Sequence, residues 1–342
     1  MSALTYLHGA AVAQGLMRCE VDDFYVEEVL GFEPSGEGEH VFLWIEKRGT
    51  NTQFVAEQLS KLAKVHPRDV SFAGQKDRHA RTLQWFSVRL AGQAEPHWCS
   101  LNDETIQVLR TERHHKKLRR GTLQGNRFRI TLKSVTGIEH VATRFQRICE
   151  QGVPNYFGEQ RFGHQGKNID KARSMFAGQR IKNKNQKSMY LSAARSYLYN
   201  QVVSQRIAQY GVQCLVGDVV VLQGSHSFFL VDSWSDTLKQ RLDERDIHIS
   251  APLWGEGQLA TQQDALTLEQ GVAEQHEWIT EGLSRAGLKQ ERRAMLLYPE
   301  APELLVDTEQ QSVTVAFTLS AGCFATSVLR ELIDYKDMQQ IT

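Results

Sequence analysis

Polar and apolar residues alternate most regularly over GNRFRITLK, residues 125–133. There Phe128, Ile130 and Leu132 fall on one side, and Arg127, Arg129 and Lys133 on the other, which predicts a half-buried strand. The same period recurs where Val313, Val315, Phe317 and Leu319 alternate with Thr314, Ala316 and Thr318, and again around Gln84, Phe86 and Val88. Residues 41–45 form a short apolar run that predicts a buried strand, and residues 218–222 predict another. Val21, Tyr25 and Val26 mark the start of a further strand. Helical spacing appears in Val55, Leu59, Leu62 and Ala63, with Asn51 or Thr52 as the cap and Pro67 beyond the end. Residues 140–151 predict a helix, closed by Gly152-Val153-Pro154. Ser192 is the expected cap of a long helix carrying Tyr199, Val202, Val203, Ile207 and Tyr210, with Gly211 as its stop. Residues 261–282 predict one more helix, and Ser320-Ala321-Gly322 leads into a last one with Val328, Leu329 and Leu332.

One polar loop stands out against this pattern. Val70 and Phe72 end a strand, Ala73 and Gly74 let the chain turn, and Gln84 lies in the next strand. Between them, Gln75-Lys76-Asp77-Arg78-His79 places one carboxylate among three potential cations. A loop held between two strands is a common seat for a reacting group. A solvated turn is the plainer reading of the same residues.

Composition and charge narrow the choices. The chain has 342 residues, 41% hydrophobic and 23% charged, enough for two domains with separate cores. No run of 18 apolar residues and no basic-then-apolar leader occurs, so a cytoplasmic protein away from membranes is expected. Five cysteines (Cys19, Cys99, Cys149, Cys214, Cys323) lie far apart without a Cys-x-x-Cys pair, so no disulfide framework or zinc ribbon is indicated. Forty basic and forty acidic residues cancel, but they are segregated. Residues 110–120 (RTERHHKKLRR) hold six Lys/Arg against one Glu, and residues 180–187 (RIKNKNQK) hold four cations and no acid. Asp22, Asp23, Glu27 and Glu28 crowd an acidic stretch. Such segregation permits a basic groove on a neutral protein, although each cluster also reads as a solvated loop or helix end.

Familiar cofactor patterns fail on inspection. The GEG at 36–38 lacks the strand–GxGxxG–helix context of a dinucleotide site. Gly166-Lys167 has no glycine five residues earlier, and Asn168 replaces the Ser/Thr of a phosphate loop. His276-Glu277 is followed by Thr280 where a zinc protease needs histidine. Cys323 has no orienting histidine nearby in sequence and reads as a small buried thiol.

VSFAGQKDRHA, residues 70–80, closely resembles the aspartate motif of the TruD family, the transfer-RNA pseudouridine synthases D. DDFYVEE, GFEPSGEGEH, GNRF, VPNYFGEQRFG, RRAMLLYP and SAGCFATSVLREL follow the same family in the same order. The resemblance implies an α+β fold, a mixed-sheet catalytic domain interrupted by an inserted α/β domain. Its expected boundaries are 1–151 and 298–342 for the catalytic domain and 152–297 for the insertion. It implies that Asp77 is catalytic and that Phe24, Asn126, Phe128 and Phe324 line the substrate site. Arg18 stands where the family usually has lysine, and Val21 where it usually has proline. The implied activity converts a uridine of transfer RNA, uridine 13 in the family, to pseudouridine. Transfer RNA is the expected partner, with the protein a monomer.

That chemistry breaks the N1–C1′ bond, turns the uracil and joins C5 to C1′. It is redox-neutral and transfers no group, so no cofactor or metal is expected. It needs a carboxylate near sugar and base, and Asp77 supplies one either as nucleophile or as base. Lys76, Arg78 and Arg18 are candidate cations for holding it ionised. A phenylalanine offers a π-face and an asparagine a hydrogen-bonding edge to an unstacked base. Taken without the resemblance, Phe128 reads as a core residue and Phe24 as an ordinary buried aromatic. Two other classes remain open at this level. One is a hydrolase of RNA pairing Asp77 with His79. The other is a non-catalytic RNA-binding protein that relies on its basic clusters.

Overall fold

The computed structural model describes residues 3–119 and 121–340, so Arg120 of the first basic cluster lies outside the described residues. In chain order the elements begin with β1 (Gln14–Met17), β2 (Phe24–Leu30), β3 (His40–Arg48), α1 (Thr52–Leu62) and β4 (Val70–Phe72). They continue with β5 (Arg81–Arg89), β6 (Ile106–His114), β7 (Leu123–Thr136) and α2 (Val141–Gln151). Next come β8 (Val153–Pro154), α3 (Lys167–Phe176), α4 (Lys184–Tyr210), β9 (Val219–Leu222), β10 (Phe228–Leu230), α5 (Asp236–Asp243) and β11 (Ile247–Leu253). After α6 (Gln263–Glu274) and α7 (Glu277–Arg285), the chain ends through β12 (Glu291–Ala294), β13 (Leu296–Leu297), β14 (Glu300–Asp307), β15 (Ser312–Ser320), α8 (Ala325–Leu332) and β16 (Asp334–Asp337).

Packing divides the chain into two units, one of residues 11–149, 299–325 and 332 onward, the other of residues up to 10, 150–298 and 326–331. The first unit carries a ten-stranded sheet with the order β14-β15-β7-β2-β5-β3-β6, to which β1, β4 and β16 attach off that path. It is mixed, because β2–β5 and β1–β16 run parallel among antiparallel neighbours. Val55, Ala56 and Leu59 of α1 cover Val41, Leu43 and Ile45 of β3 and Phe86 and Val88 of β5. The half-buried pattern expected for β5 gives way here. Trp85, on the opposite face from Phe86, packs with Phe42, Ala73 and Leu118, so this strand is buried on both sides. The strand expected from Val21 begins instead at Phe24. Residues Val21–Asp23 form a 3₁₀ turn, and the Asp23 carboxylate accepts the Glu20 amide at 2.7 Å.

The second unit holds a four-stranded sheet, β10-β9-β11-β12, and the pair β13–β8. Its longest helix, α4, starts eight residues before the expected cap at Ser192. Asn183 is the true cap, its side-chain oxygen accepting the amides of Asn185 and Gln186 at 2.9 and 3.2 Å. Ser192 lies within the helix and its hydroxyl accepts from Arg161 at 3.0 Å. The single helix expected over 261–282 is two. His276 adopts a non-helical backbone, and its ring packs edge-on against Tyr197 with centroids 5.5 Å apart. Its carbonyl then accepts from Ile279 at 2.8 Å and starts α7 afresh. Among the described residues no helix is long and apolar enough to cross a membrane.

Leu59 is wholly buried where α1 meets the sheet. Leu59→Ala should cost about 2–5 kcal/mol through lost transfer energy and the residual cavity. A fall of that size in urea-unfolding free energy is the expected result, and a loss under about 1 kcal/mol would mean that α1 does not close this core.

Candidate active site

The loop from Ala73 to Ala80 joins β4 to β5, and three buried side chains hold its backbone at successive points. Gln84, on β5, donates from Nε2 to the Gly74 carbonyl at 2.5 Å. Thr52, at the start of α1, accepts the Lys76 amide at 3.0 Å while its hydroxyl donates to Gln84 Oε1 at 3.0 Å. Lys47, on β3, donates from Nζ to the carbonyls of Asp77 and Thr50 at 2.9 and 2.8 Å. Gln84 and Lys47 are fully buried and Thr52 nearly so. Buried polar groups of this kind are tolerated because each finds a partner. They leave the Asp77 side chain at the rim, one-fifth exposed.

Asp77 Oδ2 pairs with Arg18 Nη2 at 2.8 Å, and Arg18 Nη1 pairs in turn with Asp337 at 2.7 Å. The cation that the sequence left open is therefore Arg18, which lies at the end of β1. Arg78 is exposed. The Arg18 backbone sits at φ 59°, a region in which a non-glycine residue costs of order 1–3 kcal/mol. Parallel pairing of β1 with β16 sets Met17 beside Asp337, which brings the last strand to this site. The Asp77 Oδ1 atom accepts the His79 amide at 3.1 Å, so His79 meets the carboxylate through its backbone while the residue itself is exposed.

A second charged group lies one residue back along the loop. Lys76 Nζ forms an ion pair with Glu28 at 2.8 Å and donates to Asn126 Oδ1 at 2.8 Å. Antiparallel pairing explains the meeting, because Glu28 on β2 stands opposite Asn126 on β7. Glu28 Oε2 also accepts the Trp85 amide at 2.9 Å, beyond the last residue at which β2 and β5 pair. Burial pushes the Glu28 carboxyl above its ordinary pKa, with Lys76 opposing the shift. Burial likewise pushes Lys47 down to about 8, with the Asp77 charge opposing.

The same sheet face carries the aromatics. Phe24 lies under the Arg18 guanidinium at 4.3 Å and meets Phe128 edge-on at 6.5 Å, while Phe128 packs against Phe317 at 5.8 Å. Thus Asp77, Phe24, Asn126 and Phe128, spread over the first 128 residues, converge through Arg18 and Lys76. Phe24 and Phe128 are more than nine-tenths buried. Phe324 is half-buried in the turn after β15, whose end pairs Leu319 with Asn126. Cys323 beside it is half-buried rather than fully buried.

Asp337 and Lys47 were not among the residues singled out from the sequence. Lys47 had a legible signal, since it extends the alternation Val41, Leu43, Ile45 onto the apolar face of β3. Asp337 had none, because its role depends on β16 pairing with β1. Of the first basic cluster, Arg110 pairs with Glu112 and Lys117 donates to the Arg68 carbonyl, while Lys116 and Arg119 are exposed. In the second cluster Arg180, Lys182, Lys184 and Lys187 are all exposed.

A family model described as tRNA pseudouridine synthase D (TruD) matches residues 1–171 and 169–332. The chain is 49% identical over 345 residues to a tRNA pseudouridine synthase D of Shewanella oneidensis, covering 100% of this chain and 92% of the relative. It is 48% identical to the protein of the same name from Colwellia psychrerythraea, covering 97% and 93% of the two chains. A crystal structure of a Methanosarcina mazei protein bearing the TruD name superimposes with a TM-score of 0.72 over 98% of this chain and 97% of that one. At 22% identity, that likeness speaks for the fold.

Lys47 gives the site a pH signature, in surroundings charged by Asp77, Lys76 and Glu28. Its folded pKa of about 8 lies below the ordinary value near 10.4, so between these values the unfolded chain binds more protons. The penalty for burying the cation is complete below pH 8 and is relieved as pH rises. Urea titrations at pH 7 and pH 9.5 should show wild-type stability gaining on Lys47→Met at the higher pH, by about 2 kcal/mol. A difference that stays constant, or shifts the other way, would place the Lys47 titration elsewhere.

Proposed function

The chain belongs to the TruD family of tRNA pseudouridine synthases, and we propose that it isomerises uridine 13 of a transfer RNA to pseudouridine with Asp77 as the reacting carboxylate. The observation that carries this reading is the Arg18–Asp77 pair at 2.8 Å, with Phe24 beneath the same guanidinium at 4.3 Å. A carboxylate held by a fixed guanidinium is aimed in one direction, which nucleophilic attack at C1′ or proton removal at C2′ both require. As N1–C1′ breaks, the base stays in the site, turns, and bonds through C5 to C1′. On the nucleophilic route that bond displaces Asp77 from C1′, and on the other Asp77 returns the proton to C2′. The proton at C5 then leaves to solvent and N1 takes one up, so the product is an isomer of the substrate. Phe24, Phe128 and Phe324 are read as apolar walls for the extruded base, and Asn126 as the group that reads its edge. All of these residues lie in the large-sheet unit. We therefore assign catalysis to that unit and read the second unit, which interrupts it in sequence, as the inserted domain. The Asp–His hydrolase reading loses ground because His79 reaches Asp77 through its amide.

Release of tritium from C5-labelled uridine in transfer RNA tests the reaction. Asp77→Asn should abolish release under single turnover with transfer-RNA affinity kept within about threefold, because a group acting in the transition state contributes little to ground-state binding. The fold should survive, since Arg18 keeps Asp337 and an asparagine oxygen still accepts the His79 amide. Turnover by this variant, after deamidation has been excluded, would defeat the assignment. For the RNA surface, Lys116→Ala with Arg119→Ala should reduce the log–log salt slope of binding by about 1.4–1.8, at 0.7–0.9 per phosphate contact. An unchanged slope would remove both residues from the interface.

A further inference from the structure

Lys47 is a fully buried cation on a strand face otherwise made of Val41, Leu43 and Ile45. A charge in such a place is costly, and a methionine of similar length would fill the space without desolvation. Its two described hydrogen bonds both run to backbone carbonyls, of Thr50 and of Asp77 itself. Gln84 and Thr52 hold the loop at Gly74 and Lys76, which leaves Lys47 as the third anchor, placed at the reacting residue. Rotation about φ of Asp77 would move its carbonyl and its side chain together relative to Arg18. Lys47 opposes that rotation from the buried side.

We propose that Lys47 is a positioning residue for the reaction. It fixes the Asp77 backbone from beneath the loop, so that the carboxylate meets the sugar in one geometry. This rests on the proposed isomerisation for its rate effect, though not for its structural effect. A misplacement of about 1 Å costs up to 10²-fold in rate while leaving remote binding contacts unchanged. The effect therefore belongs to the chemical step and not to transfer-RNA affinity.

The test compares full-length wild type with Lys47→Met and, as a control for lost stability, Leu59→Ala. Single-turnover tritium release by Lys47→Met should slow by about 10- to 100-fold with transfer-RNA affinity within about threefold. Leu59→Ala should react at the wild-type rate per folded molecule. Trypsin probes the loop independently of activity, because Lys76 and Arg78 flank Asp77. Native-state cleavage at these two sites should rise at least about tenfold in Lys47→Met, without matching cleavage elsewhere. If Lys47→Met does not fold, Lys47→Gln replaces it, keeping one donor without the charge; a slowed rate at full affinity supports the proposal. A folded Lys47 variant within threefold of the wild-type rate overturns it. Equal slowing by Leu59→Ala also overturns it, since stability alone would then explain the loss. If wild type releases no tritium, the assigned reaction falls, while loop cleavage still decides whether Lys47 anchors Asp77.

Discussion

A single guanidinium shared by two carboxylates ties three distant parts of this chain together. Arg18 comes from the first strand, Asp77 from a loop between the fourth and fifth, and Asp337 from the last. The planar fork of arginine serves two acceptors in fixed directions, which the point charge of lysine does less well. The side chains of Arg18 and Asp337 are both more than nine-tenths buried, so removing either partner would leave a charge poorly solvated. The left-handed backbone at Arg18 is the local cost of this arrangement. It persists because β1–β16 pairing and the two ion pairs together over-determine its position.

Around this pair, buried polar side chains hold backbone where apolar ones would give more stability. Thr52, Gln84 and Lys47 each bond the loop, and Glu28 bonds both Lys76 and the Trp85 amide. Every one of these groups has a partner, so the network restricts the loop instead of destabilising the core. Lys76 also settles the orientation of Asn126. An ammonium only donates, so the amide oxygen must face it and the amide nitrogen is directed elsewhere.

Sheet register determines which side chains share this face. Glu28 opposite Asn126, Val26 opposite Phe128 and Phe128 opposite Phe317 place the acid, the amide and the aromatics on one side of β2, β7 and β15. The parallel pairing of Val26 with Thr82 puts Gln84, Phe86 and α1 on the same side farther along. A slip of one residue between β2 and β7 would send Phe128 and Asn126 to the opposite face from Glu28 and Phe24. On the other side of β7, Gly125 lets β15 approach closely, because a Cβ there would lie 2.3 Å from the Leu319 carbonyl oxygen.

Local patterning determined the strands β7 and β15 and the helix α1, because a single buried face imposes a period that one stretch of sequence records by itself, whereas β3, buried on both faces, was legible as a continuous apolar run. The motif around Asp77, with Phe24, Asn126, Phe128 and Phe324, was legible through family resemblance, and four of the five meet around Arg18 and Lys76. What the sequence misplaced depended on contacts between remote segments. Trp85 was buried on its second face by Leu118, the helix over 261–282 was broken where His276 packs on Tyr197, and α4 began at Asn183. The choice of Arg18 over Arg78 as the partner of Asp77, and the parts played by Asp337 and Lys47, were decided by tertiary structure alone. Each depends on a pairing between strands or loops far apart in the chain, and no local period carries that information.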